Sequence, residues 1–68
     1  MKKARPPAKG DLIKVIDSKS PFADRMGEVV TSAIDVDARK LVWVVFPDDR
    51  LTHYSFFETS IAIMSRAD

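Results

Sequence analysis

The sequence predicts an all-β fold, a small five-stranded barrel, and three observations carry that expectation. Apolar and β-branched residues are gathered in five short runs, the breaks between runs are filled by turn-formers, and no run sustains a helical period for about ten residues. A chain of 68 residues has room for one domain. At that length it buries only about 60% of the surface its unfolded form exposes, so the core has to be simple.

The runs are Leu12 to Ile16, Gly27 to Ile34, Leu41 to Phe46, Arg50 to Phe56 and Ile61 to Ser65, rich in Val, Ile, Thr and aromatic residues. Asp17-Ser18, Ser20-Pro21, Asp35 to Asp37 and Pro47-Asp48-Asp49 separate them. Phe46-Pro47-Asp48-Asp49-Arg50 has the composition of a hairpin, because proline presets a turn and aspartate side chains bond nearby amides. Phe56 to Ser60 suits one tight 3₁₀ turn before the last strand. Residues 1–9, with Pro6-Pro7 and no apolar period, are expected to form a flexible basic arm, leaving residues 10–68 for the barrel.

Both glycines flank the first strand and the polar loop that follows it. Gly10 stands where the arm turns into the barrel, and Gly27 opens the second strand. Each position suits a residue that takes φ > 0 or lets another backbone come close.

The third strand is apolar on both faces, since Leu41, Trp43 and Val45 alternate with Val42, Val44 and Phe46. Either set can point inward. If Phe46 plugs the barrel end beside Pro47, then Trp43 stands outside with Leu41 and Val45 as an apolar stripe; the other phase puts Trp43 in the core. Phe22, in the middle of the loop Lys19 to Arg25, either folds back as a lid or reaches out to a ligand.

Gly10-Asp11, Ile13, Val15-Ile16, Pro21-Phe22-Ala23-Asp24 and Gly27-x-Val29 resemble the KOW motif of NusG-type transcription factors and several ribosomal proteins. That resemblance implies an SH3-like barrel. It covers some ten positions between Gly10 and Val30 and is generic from Ile34 onward. The family's glycine after the first strand is replaced here by Asp17-Ser18-Lys19-Ser20, and the chain has no counterpart of the polymerase-binding domain of NusG, so processivity is not implied. A weaker likeness links the chain to SH3-like accessory subunits of the PsaE and NdhS types through Val42-x-Val44-x-Phe46, although the asparagine-rich loop of PsaE is missing.

The net charge of +1 conceals an asymmetry: four of the eleven basic residues, Lys2, Lys3, Arg5 and Lys9, lie in the first nine positions, which hold no acid. A nucleic-acid or ribonucleoprotein contact would use that arm with Lys14, Lys19 and Arg25 on phosphates, and Phe22, Tyr54 or Trp43 as stacking surfaces. Asp11, Asp17, Asp24 and Glu28 oppose it. The alternative is an accessory or adaptor subunit that docks on a larger protein complex, a photosynthetic one if the PsaE likeness holds, through the loop and the Trp43 stripe.

Catalysis is not expected. His53 and Ser55 share one side of a strand with no concave pocket implied, adjacent carboxylates at a hairpin tip do not fix acid–base geometry, and no glycine-rich phosphate loop is present. No cofactor is expected, and no metal, since the chain has one histidine and no cysteine. The absence of cysteine fits a reducing cytoplasm, and no apolar run is long enough for a membrane helix or a signal core.

Overall fold

Residues 6–67 are described by a computed structural model. Five strands form one antiparallel sheet: β1 (Leu12–Val15), β2 (Met26–Val36), β3 (Arg39–Phe46), β4 (Asp49–Phe57) and β5 (Ile61–Ser65). A 3₁₀ turn, Glu58–Ser60, links the last two. The spatial order is β4-β3-β2-β1-β5, so β1 lies between β2 and β5 and brings both ends of the chain to one region. The sheet curls into a half-barrel, and the fold is all-β.

The curl originates in β2, whose 11 residues are too many for one straight pairing. Its first residues pair with β1 at Ile13↔Gly27, and from Glu28 onward it pairs with β3. Between Val29 and Thr31, and again between Thr31 and Ile34, the register with β3 shifts. Each bulge bends the strand and increases its twist, so one strand serves two neighbours that face different ways.

Inside the curl lie Ile13 and Val15 of β1, Val29 of β2, Val42, Val44 and Phe46 of β3, and Ile61 of β5. Alternation along β3 therefore sets Leu41 and Trp43 on the opposite face, where both are half-buried. Val45 shares that face yet is also buried. Glu28 pairs opposite it on β2, and Arg50 of β4 reaches Glu28 across it with Nη2 2.9 Å from Oε1.

The two glycines do different work. Gly10 has φ +95°, and a Cβ there would lie 2.6 Å from the Cβ of Ala67. Gly27 has ordinary φ but no space: a Cβ would meet Val44 Cγ1 at 2.6 Å and the Val45 carbonyl oxygen at 2.8 Å. The second contact is with backbone, which cannot rotate away.

Strand ends differ from the expected ones where the turn chemistry is unusual. β2 continues through Asp35 and Val36, and the turn comes at Asp37 and Ala38, with φ of 50° and 64°. Val36 pairs with Arg39, making a two-residue hairpin of the kind that requires φ > 0 at both central positions. Asp-Ala is an uncommon filling for such a turn, and its composition does not announce it. The Pro47–Asp48 turn falls as expected, with Phe46 opposite Asp49. Of the arm expected over residues 1–9, the first five lie outside the described residues. Residues 6–9 run against the sheet: Pro7 is buried and its carbonyl accepts the Ala33 N–H at 3.2 Å.

Two substitutions test these backbone assignments. Ala38→Gly removes a left-handed alanine and should raise unfolding stability by about 0.5–1 kcal/mol in urea titration. Gly27→Ala should lower it by about 1–3 kcal/mol, because the added methyl has to displace the Val45 carbonyl.

Candidate functional site

The loop between β1 and β2 is tied to the barrel at both ends and at its tip. Val15 N–H donates to the Arg25 carbonyl and Asp24 N–H donates to the Val15 carbonyl, at 2.9 and 2.8 Å, with Asp24 in the left-handed region at φ 68°. Asp17 accepts the Lys19 N–H and Ser20 Oγ accepts the Phe22 N–H, so the loop's polar residues bond their own backbone. Phe22 folds back: its ring centroid lies 5.2 Å from that of Phe46, nearly parallel, 4.7 Å from Tyr54 and 6.0 Å from Phe56. Four aromatic rings thus close one part of the core.

Arg25 completes this cluster from outside. Its guanidinium carbon lies 4.5 Å from the Phe46 ring centroid, and Nη2 is 2.6 Å from Asp48 Oδ1 in the β3–β4 turn. Lys14 Nζ stands 3.8 Å from Asp24. Lys19 is exposed. The six residues singled out in the sequence are therefore divided. Phe22, Arg25 and Tyr54 come together on Phe46, Lys14 and Lys19 lie on or beside the same loop, and Trp43 is on the outer face of β3.

That outer face is the arrangement with the most chemistry left unspent. Strand register aligns Ile34, Leu41 and Phe57 in one row across β2, β3 and β4, and Thr31, Trp43 and Ser55 in the adjacent row. Ile34 is 46% exposed and Val36, two residues along the same face, 37%. Leu41, Trp43 and Phe57 are half-buried. Arg39 lies over the Phe57 ring at 4.9 Å, Thr31 and Ser55 are exposed, and the result is an apolar strip with a polar rim.

In the sequence Asp11 stands in the Gly10-Asp11 pair that opens the KOW resemblance and among the acids that weaken a nucleic-acid site, and the structure gives it a further task. The residue is 3% exposed. Oδ2 accepts the Ala8 N–H at 3.0 Å and Arg66 Nη1 at 2.9 Å, while Oδ1 accepts the Ala67 N–H at 3.0 Å. Arg66 Nη1 also reaches the Pro6 carbonyl, at 3.1 Å. Burial pushes the Asp11 carboxyl up, but the Ala67 and Ala8 amides and the Arg66 guanidinium together outweigh it and hold the group below the ordinary carboxylate value. A single carboxylate thereby joins the segment before β1 to the segment after β5. Partners 55 and 56 residues away leave no local signal in the sequence.

His53 is exposed on β4, and among the described residues no cluster of His, Cys, Asp or Glu is placed to hold a metal ion. No helix among them is long and apolar enough to cross a membrane. Compared with family models, curated proteins and solved structures, the chain finds no match in any of the three.

The sign of the Asp11 effect is testable by pH. Its folded-state pKa lies below the unfolded value of about 4, so its stabilisation is complete above that value and is lost as pH falls through the folded one. Urea midpoints should therefore drop below about pH 4, and the drop should be shallower in Asp11→Asn, which should itself cost about 2–3 kcal/mol at pH 7. Phe22→Ala should cost about 2 kcal/mol at neutral pH and expose Phe46 to solvent, read from aromatic chemical shifts.

Proposed function

We propose that the chain is an SH3-like barrel of the KOW type that works as a non-catalytic docking module for a protein partner, engaged through the outer face of β2, β3 and β4. Support for the fold comes from the five short antiparallel strands, the strand-loop-strand unit over Gly10 to Val30 and the long bent β2 shared by both parts of the sheet. The observation that carries the functional reading is the cross-strand row Ile34–Leu41–Phe57 with Trp43 beside it. An apolar strip of this kind, rimmed by Arg39, Thr31 and Ser55, gains free energy by being covered and offers no pattern of cations to phosphates.

The loop's own residues favour protein over nucleic acid. A base would have to displace Phe22 from Phe46 and Tyr54 in order to stack, and a phosphate would have to compete with Asp48 for Arg25 and with Asp24 for Lys14. In this reading the loop seals the barrel and the outer face makes the contact.

Affinity purification of the full chain from its own cells, with Trp43→Glu and Lys14→Glu run in parallel, tests the proposal. One discrete protein partner should be kept by Lys14→Glu and reduced at least about tenfold by Trp43→Glu, consistent with loss of an aromatic anchor. Titration with single-stranded RNA at low and moderate salt should show no saturable binding. Tight, salt-sensitive RNA binding, or a partner indifferent to Trp43→Glu in a folded chain, would overturn it.

A further inference from the structure

The outer face of the sheet has a charged end. Along β3, Arg39, Leu41 and Trp43 point to the same side, and Arg39 stands at the hairpin, opposite Val36. It is exposed, and its guanidinium carbon lies 4.9 Å from the Phe57 ring centroid, so a planar cation is laid on the last ring of the Ile34–Leu41–Phe57 row. Stacking uses the flat side of the group and leaves its edge of N–H donors for hydrogen bonds.

The chain supplies no acid for that edge. Among the described residues Arg25, Arg50 and Arg66 are each held by a carboxylate, that of Asp48, Glu28 and Asp11, whereas Arg39 alone of the described arginines is paired with none. Asp35 and Glu58 border a hollow of about 340 Å³ together with Arg39, but both act on Lys40 instead. Lys40 Nζ lies 2.7 Å from Asp35, and Asp35 first, with Glu58 adding to it, holds the ammonium above its ordinary value. Asp37, in the hairpin turn, makes no ion pair among the described residues. A preorganised guanidinium at the end of an apolar strip is matched by a carboxylate, which meets the fork with two parallel hydrogen bonds. We infer, resting on the docking reading above, that the protein partner brings a carboxylate to Arg39 from the same segment that sets an apolar anchor on Leu41 and Trp43. Same-side residues of a strand are spaced by about 7 Å, which puts the acid about 7 to 13 Å from the anchor. That distance is two to four residues in an extended segment and about four to eight in a helix.

Panning a random peptide library displayed on phage against the immobilised full chain tests this, with Arg39→Gln, Arg39→Lys and Trp43→Glu as parallel baits and urea midpoints checking that each is folded. Wild type should enrich peptides in which Asp or Glu stands at a fixed spacing from Trp, Phe or Leu. Arg39→Gln should keep the apolar residue and lose the acid, Arg39→Lys should retain a weaker preference for it, and Trp43→Glu should lose both. In a synthetic peptide from the wild-type pool, replacing the acid by its side-chain amide should weaken binding to wild type about tenfold, as one charge-assisted pair requires, and leave binding to Arg39→Gln unchanged. An apolar anchor enriched without an acid, or an acid preference that survives Arg39→Gln, would overturn this inference and leave the docking face standing. Enrichment indifferent to Trp43→Glu, or no enrichment, would remove the docking face and this inference with it.

Discussion

Where β2 passes β3 at Gly27, the missing side chain allows Val44 and the Val45 carbonyl to come as close as 2.6 and 2.8 Å to the position a Cβ would take. Phe46 reaches the same spot, and a Cβ on Gly27 would lie 3.1 Å from its ring. That contact selects which face of β3 points inward. Val42, Val44 and Phe46 enter the core, Phe22 closes over Phe46, and Leu41 and Trp43 are left on the outer face. The proposed docking surface is a consequence of the phase of one strand.

The two ends of the half-barrel are secured by unlike means. One is sealed by stacked aromatic rings with Arg25 laid on Phe46 and held by Asp48, an arrangement in which a planar cation covers apolar surface and remains hydrated at its edge. The other is secured by the buried Asp11 carboxylate, which gathers Ala8, Arg66 and Ala67. A chain of this length has little apolar surface to spare, and tying both terminal segments to one acid orders them with few additional residues. The middle of the sheet is then free to present side chains outward.

Most of the fold was legible in the sequence because its strands are encoded locally. The five runs, the Pro47 turn and the 3₁₀ turn follow from residue type and spacing, and each element is found within a few residues of its expected place; that Gly10 and Gly27 are special also follows, but which of them needs positive φ and which needs space is settled by the neighbours each one meets. Phe22 as a lid was one of two open readings, decided by rings 24 and 32 residues further on, in Phe46 and Tyr54. What local pattern could not supply was tertiary: the fate of Asp11 depends on residues at the far end of the chain, and the outer strip depends on a register set by two bulges in β2. Asp37-Ala38 lacks the glycine that marks such hairpins, so the end of β2 was placed too early.

The phase of β3 can be observed directly. In a nuclear Overhauser spectrum of the full chain, the Phe46 ring should show cross-peaks to the Gly27 α-protons and the Phe22 ring, while the single indole, Trp43, should correlate across the sheet with Thr31 and Ser55. Indole cross-peaks to Phe22 and Val29 in place of those would put Trp43 in the core, turn the strand over and remove the outer face described here.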